Sequence, residues 1–296
     1  SPEAYKCYLE AQYKFDNLKN ISEIVVIRGL LTKSLSINQN LIEANWLLAR
    51  TYYHTSNYEK AKELSFQIIE KGEKNDNYKI VAEVLRVLGN HYTFMRDFNK
   101  AIEYTSSALK ISKKINDKSN IARSTCVLAW AYAEQNIEST DKIIDMFESS
   151  MIIFEELEDM RGRVNTYLDL SFCDFVKLDQ SLEYIKHGYE LAKVSKNKYD
   201  LTIATILIAY HYIFRGDIQK GDTYLHSGLE MSIEIGEKWM ISIAKQVAGE
   251  SFYLQGKYRV SLSYFEEAFE IAEKIDLKLW RRGALLGIAI NRKKLG

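Results

Sequence analysis

The stretch YEKAKELSFQIIEKGEKNDN at residues 58–77 has a near copy forty residues later, FNKAIEYTSSALKISKKINDKSN at residues 98–120. Each stretch begins with an aromatic residue and two polar residues, and a small residue, Ala61 or Ala101, comes next. Apolar residues then recur every three or four positions, which is the spacing of one face of an α-helix. A whole amphipathic helix that returns at a fixed distance predicts an array of helical repeats.

The period extends through most of the chain. The position after the aromatic and the two polar residues recurs at spacings of 40, 42, 38, 40 and 40, in the row Ala61, Ala101, Ile143, Ser181, Gly221 and Ser261. About twelve residues before each lies a second position, usually small, in the row Ala49, Gly89, Ala129, Asp169, Ala209 and Gly249. An aromatic residue stands three positions after each of these, in the row Tyr52, Tyr92, Tyr132, Phe172, Tyr212 and Phe252. Three residues make nearly one helical turn, so each small residue and its aromatic share a helix face. Two consecutive helices that both carry a small residue at the contact can pack closely as a hairpin.

This pattern resembles the tetratricopeptide repeat, in which a Leu-Gly-x-x-Tyr phrase on a first helix precedes an alanine on a second helix by about a dozen residues. The segment VLGNHYTFMRDFNKA at residues 87–101 matches best, and six repeats fit between residues 41 and 275. The resemblance implies an all-α fold, an α-α superhelix or solenoid. The usual closing proline is missing from every repeat, and Asp169 stands where glycine or alanine is expected.

The segments outside the six repeats are also expected to be helical. A divergent helix pair is expected over residues 1–38, and a terminal helix is expected over residues 278–296. The whole of 1–296 is therefore expected to form one repeat domain. The start SPEAYKCYLEAQYKF is similar to the beginning of the tetratricopeptide region in some bacterial signalling proteins with class III nucleotide cyclase domains. That resemblance, with the missing initiating methionine, suggests a fragment of a longer signalling protein.

Composition and motifs argue against several classes of function. Forty basic and forty acidic residues give a formal net charge of zero, which does not favour binding to nucleic acid or to an anionic membrane. There is no apolar run long enough to cross a bilayer and no signal-peptide pattern, so a cytoplasmic protein is expected. The three cysteines are far apart and the five histidines form no HxH or HExxH pair. No cofactor, no metal and no catalytic residue is therefore predicted.

The concave face of the superhelix is the predicted binding surface, because first helices line such a surface in helical solenoids. The resemblance implies that particular repeat positions face this groove, and the predicted contacts with a peptide or protein partner are Trp46, Arg50, Tyr53, Arg86, Asn90, Phe94, Trp130 and Glu134. Arg86 and Asn90 lie one turn apart and resemble the basic-residue and asparagine pair with which some tetratricopeptide domains hold a peptide. In an alternative interpretation, Arg86 pairs with a glutamate of the groove and Asn90 is merely hydrated.

Three functions stay open at this stage. The first is a non-catalytic interaction module, the regulatory or scaffold part of a bacterial signalling protein. The second is a peptide-pheromone sensor, in which a short ligand tightens the superhelix. The third is a structural element that forms a homodimer through the apolar helix GALLGIAI at residues 283–290. An aromatic surface around Tyr210, Phe214 and Tyr253, near Gln246 and Glu250, is the alternative site.

Overall fold

The structure is a computed structural model that describes residues 1–171, 173 and 175–296. Helices account for 84% of the chain, and the described residues contain no strand. The predicted all-α repeat solenoid is therefore confirmed. The helices are α1 Pro2–Asp16, α2 Ile24–Ile37, α3 Ile42–His54, α4 Tyr58–Lys74, α5 Tyr78–Phe94, α6 Phe98–Lys114, α7 Lys118–Gln135, α8 Thr140–Glu156, α9 Met160–Ser171, α10 Leu178–Ser195, α11 Lys198–Phe214, α12 Ile218–Ile235, α13 Lys238–Leu254, α14 Tyr258–Lys274 and α15 Lys278–Leu295, with a short 3-10 helix, Ile21–Glu23, before α2.

The links between helices explain the length of the repeat. In the second repeat, α5 and α6 have 17 residues each, and three-residue links separate them from each other and from their neighbours, which gives the period of 40. The middle residue of each of these links has a left-handed backbone conformation: Asp76, Arg96 and Asn116. Left-handed residues satisfy the last carbonyl groups of a helix and turn the chain back. They end the helices where the sequence lacks prolines.

Capping residues begin the next helix after several of these turns. The side chains of Asn57, Asp97, Asp117 and Asp217 each accept a hydrogen bond from a backbone N–H in the first turn that follows them. Such caps satisfy donors that have no partner inside the helix. The same local chemistry therefore stops one helix and starts the next at regular intervals.

The small residues allow close contact within a hairpin. Gly89 on α5 is so close to α6 that a Cβ atom there would lie 2.0 Å from Thr105 Oγ1 and 3.1 Å from the carbonyl oxygen of Ala101. In the sixth repeat the Ser261 hydroxyl donates to the carbonyl oxygen of Gly249 over 2.6 Å. The two predicted rows of small positions thus face each other across these hairpins.

In three of the hairpins the residue of the aromatic row stacks on a ring of the second helix. Nearly parallel ring pairs recur in the second, fifth and sixth repeats: Tyr92–Tyr104, Tyr212–Tyr224 and Phe252–Tyr264. These pairs have centroid separations of 5.4, 5.8 and 5.4 Å. Phe172, which was predicted to hold this position in the fourth repeat, lies outside the described residues.

The array curves until distant parts of the chain touch. His54 at the end of α3 lies with its Nδ1 atom 2.7 Å from Oε1 of Glu237, a residue 183 positions later that precedes α13. Nearby, the Asn20 side chain donates to the backbone carbonyl of Glu234. His54 also packs against the rings of Phe15 and Tyr199. We call this set of contacts the closure contact, and it holds the superhelix around a central space.

Candidate functional site

The curved array encloses a cavity of about 500 Å³, which we call the central cavity. Its wall is built mainly by first helices of successive hairpins, from α3 through α13, and α15 contributes at one end. Three residues of the closure contact, His54, Tyr199 and Glu237, belong to the same wall. The cavity is therefore concave, largely preformed and of a volume typical of sites that hold small ligands or peptide segments.

Aromatic rings cover much of the wall. They include Tyr53, Tyr58, Phe94, Trp130, Tyr199, Trp239 and Trp280. The rings of Phe94 and Trp130 meet edge to face, with centroids 5.2 Å apart. The indole Nε1 atoms of Trp130 and Trp280 are buried and have no hydrogen-bond acceptor among the described residues. The wall thus combines apolar area with unused donors, a combination found in sites that fix the orientation of a ligand.

Six of the eight residues predicted from the repeat positions line the central cavity: Tyr53, Arg86, Asn90, Phe94, Trp130 and Glu134. Glu134 also pairs with Arg96 at 3.2 Å, so its charge is already compensated within the chain. Among the described residues, the Asn90 side chain has no hydrogen-bond partner. Arg86 and Asn90 therefore lie one helical turn apart on the cavity wall, and the Asn90 amide can still donate and accept hydrogen bonds.

The other two predicted residues, Trp46 and Arg50, do not form part of the wall. Trp46 is 4% exposed and packs in the core with Leu88, although it holds the same repeat position as Arg86. A tryptophan there folds back onto its apolar neighbours, whereas an arginine extends its charged end away from them. The guanidinium of Arg50 lies over the Phe15 ring, 4.6 Å from the centroid.

Two further arginines of the wall, Arg123 and Arg161, were not predicted as site residues. Arg123 forms an ion pair with Asp159, and Arg161 Nε lies 3.4 Å from Oδ1 of Asp200. Part of a signal for them exists in the sequence, because Arg50, Arg86 and Arg123 are spaced by 36 and 37 residues. Against a period of 40, these spacings are steps of four and three residues backwards, which keep a side chain on the same helix face. Arg161 follows after 38 residues, a step of two that leaves this face, so its place on the wall was not visible in the sequence.

Buried carboxyl groups lie on the later first helices. Burial raises the pKa of Asp169, which holds the anomalous small position and lines the cavity, to about 7. Burial likewise raises the pKa of Glu250 to about 7, and its Oε2 atom has no hydrogen-bond partner among the described residues. Gln246, one turn before Glu250, is 8% exposed, and its Nε2 atom also lacks an acceptor within the described part of the chain. The Glu250 carboxyl and the Gln246 amide are thus enclosed with incomplete hydrogen bonding.

The stability of the fold should therefore depend on pH through the ionisation of Glu250. Below pH 4.5 this carboxyl is protonated in both the folded and the unfolded chain. Between pH 4.5 and about 7 it ionises in the unfolded chain but stays protonated in the folded chain, so the free energy of unfolding falls as pH rises. Glu250→Gln should raise the free energy of unfolding at pH 8 by roughly 1–3 kcal/mol and change it little at pH 4. Urea titrations at both pH values measure the difference. The exposed carboxyl of Glu273 is the control, and an equal effect of Glu273→Gln would contradict the prediction.

Of two buried histidines, His91 lines the central cavity and His211 does not. His91 and His211 occupy the same repeat position and are 5% and 6% exposed. Burial, the largest cause in both cases, lowers the pKa of each to about 4, so both rings are neutral near pH 7. His211 Nε2 lies 3.2 Å from the Ser181 hydroxyl, and His91 stacks near Tyr58 with centroids 4.9 Å apart.

Within the described residues, no group of three or more His, Cys, Asp or Glu side chains could hold a metal ion. All three cysteines, Cys7, Cys126 and Cys173, are buried and none forms a disulfide. Over the same described ranges, no helix has both the length and the apolar character needed to cross a bilayer.

A known tetratricopeptide repeat protein resembles about half of the chain. No family model matches the chain. Over 138 residues it is 26% identical to tetratricopeptide repeat protein 29 of Trypanosoma brucei brucei (strain 927/4 GUTat10.1), and the match covers 45% of this chain. The chain spans only 28% of the length of that protein.

Solved structures resemble the fold over nearly its full length. A Rap protein in complex with competence and sporulation factor superposes with a TM-score of 0.69 at 15% identity, covering 99% of this chain and 86% of that one. The chain has a tetratricopeptide-like repeat fold. A Rap regulator of plasmid conjugation genes, in complex with the Phr* peptide, gives a TM-score of 0.62 at 13% identity, covering 88% and 77% of the two chains. At such identities the tetratricopeptide-like fold is what the likeness establishes.

Proposed function

We propose that the chain is a non-catalytic interaction module that binds a peptide, or a peptide-like segment of a partner protein, in the central cavity. The observation that carries the proposal is the pairing of Arg86 and Asn90 one turn apart on a preformed wall that also presents Phe94 and Trp130. An asparagine amide can accept from and donate to a peptide backbone at once. Rigid aromatic rings supply apolar contact area at little cost in conformational entropy.

A sensor of a short peptide is the second candidate, and the closure contact favours it. His54 and Glu237 belong both to the wall and to the contact that joins distant repeats, so a ligand in the cavity would interact with both. A ligand that binds the closed form more tightly shifts the array towards that form. The resemblance to a Rap protein bound to the Phr* peptide is consistent with this candidate. A nucleotide cyclase as the output stays a prediction from the first dozen residues. The cytoplasmic location and dimerisation through residues 283–290 also stay predictions.

Selection from a library of random peptides tests the proposal directly. A peptide that binds the wild-type chain should bind Asn90→Ala about tenfold more weakly, because one or two hydrogen bonds to its backbone are lost. Isothermal titration calorimetry with the purified variants provides the measurement. Gln67→Ala is the matched control, since Gln67 also carries an amide but is exposed on α4.

Three outcomes would separate the alternatives. A loss with Asn90→Ala but not with Gln67→Ala supports binding in the central cavity. Equal affinity for all three proteins places the site elsewhere, with the surface around Tyr210, Phe214 and Tyr253 as the next candidate. A library that yields no binding peptide removes the proposed function.

A further inference from the structure

The last helix, α15, exposes a side that the repeat pattern assigns to helix packing. With the period of 40, Ala289 on α15 corresponds to Gly249 on α13, so α15 is a first helix. It packs mainly on α13 and α14. Its other side exposes large apolar side chains, and Leu285, Leu286 and Ile290 are 48%, 61% and 38% exposed. We call this exposed surface the α15 face, and its residues, which lie outside the wall of the central cavity, are Arg282, Leu285, Leu286, Ala289, Ile290 and Arg292.

In the preceding hairpin, the corresponding positions of α13 pack on the second helix, α14. The Ser242 hydroxyl donates to a backbone carbonyl of α14 over 2.9 Å. Lys245, one turn later, forms an ion pair with Glu267 of α14. A Cβ atom at Gly249 would lie 2.8 Å from one ring of α14, and Phe252 stacks on another. All four positions of this row on α13 therefore contact the second helix.

The same row on α15 has no helix covering it. Forty residues after the row on α13 come Arg282, Leu285, Ala289 and Arg292, and all four are exposed. The spacing of the row matches one face of a helix that packs against another helix. An exposed apolar patch with a polar rim is typical of an interaction site. The α15 face therefore has the arrangement that receives an amphipathic helix.

The charge of α15 indicates the chemistry of that helix. α15 carries six basic residues and no acidic residue. Arg281 and Arg292 pair with nearby carboxylates, but Lys278, Arg282 and Lys293 have no carboxylate oxygen within the 4.0 Å of an ion pair in the described parts of the chain. Lys278 and Arg281 lie in the first turn, where the helix dipole disfavours positive charge. Folding of α15 alone does not explain this excess of positive charge.

We infer that the α15 face binds an acidic amphipathic helix of a partner protein, at a site separate from the central cavity. The helix takes the place that a second helix holds in the other hairpins, and its apolar side chains pack on Leu285 and Ala289. Its carboxylates pair with Arg282, as Glu267 of α14 pairs with Lys245 of α13. A second copy of α15 would bring like charges together, so an acidic partner fits this face better.

Two helices of the chain itself supply matched probes for this site. Synthetic peptides with the sequences of α8 and α6 each contain the 17 residues of an amphipathic second helix. The α8 peptide has five acidic residues and one basic residue, whereas the α6 peptide has one acidic residue and four basic residues. Fluorescence anisotropy with the full chain should show that the α8 peptide binds at least about tenfold more tightly than the α6 peptide.

Variants of the α15 face locate the binding. Arg282→Glu should weaken the α8 peptide about tenfold and strengthen the α6 peptide, a reversal that a structural defect would not produce. Leu285→Glu should weaken both peptides, because it places a charge against the apolar side of the bound helix. The controls are Lys6→Glu and Leu9→Glu, at exposed residues that hold the fifth and eighth positions of α1, as Arg282 and Leu285 do in α15. Both controls should leave the two affinities unchanged.

Other results would overturn the inference. Equal affinity of the two peptides, or no binding of the α8 peptide, would show that the α15 face does not select an acidic helix. A dimer of the unliganded chain that Leu285→Glu dissociates in sedimentation velocity would assign the face to a second copy. Binding to vesicles of phosphatidylcholine and phosphatidylserine that Leu285→Glu abolishes would assign it to a membrane. None of these results alters the proposed binding in the central cavity, which Asn90→Ala tests separately.

Discussion

Gly89→Val should lower the free energy of unfolding by about 3 kcal/mol, at the upper end of the cost of overpacking a core. A Cβ atom at residue 89 would lie 2.0 Å from the hydroxyl of Thr105, which is fully buried, and 3.1 Å from the backbone oxygen of Ala101. The side chain of Thr105 has little room to move, and the backbone of α6 would have to shift. Urea denaturation followed by circular dichroism measures the loss.

The matched control is another glycine inside a helix. Gly29 lies in α2, is exposed, and has no atom within 4 Å of a Cβ built on it. Gly29→Val should change stability by no more than about 0.5 kcal/mol, because valine and glycine differ little in helix propensity. If both variants lose the same free energy, helix propensity rather than the close contact between α5 and α6 explains the result.

The hairpins could be predicted from sequence because their contacts are local. The small positions, the aromatic three residues later and the amphipathic second helix all lie within 40 residues, and each leaves a periodic trace. The links between helices were harder to predict. Glycine is the residue that marks a left-handed backbone position in a sequence, and here residues such as Arg96 and Glu158 hold such positions. The absence of prolines was therefore visible in the sequence, but the left-handed residues that end the helices in their place were not.

The candidate site could be predicted only in part, because its shape depends on how far the array curves. Small rotations between neighbouring hairpins add up, and a periodic sequence does not reveal which repeats finally meet. Glu237 was not predicted as a site residue for this reason, since its partner His54 lies 183 residues away. Trp46 shows a second difficulty, because one repeat position can hold a core residue in one hairpin and a cavity residue, Arg86, in the next.

The contact between His54 and Glu237 should be the other large contributor to stability. The Glu237 carboxylate is 3% exposed and the His54 ring is 26% exposed, so removing the histidine leaves a buried carboxylate without its partner. Loss of a hydrogen bond to a buried charged group costs about 1.5–3 kcal/mol, and we expect His54→Ala to lower the free energy of unfolding by about 2–3 kcal/mol. Chemical denaturation measures this loss.

A double-mutant cycle isolates the interaction from other effects of the two substitutions. Glu237→Gln removes the charge and keeps the shape, so His54→Ala with Glu237→Gln should be more stable than His54→Ala alone, with a coupling energy of about 1.5–3 kcal/mol. The exposed pair of His226 and Glu230, whose atoms lie 3.2 Å apart, is the matched control and should couple by no more than about 0.5 kcal/mol. A cycle at His54 and Glu237 as weak as this control would mean that distant repeats meet without stabilising each other, and the closed array would then owe its shape to the hairpin contacts alone.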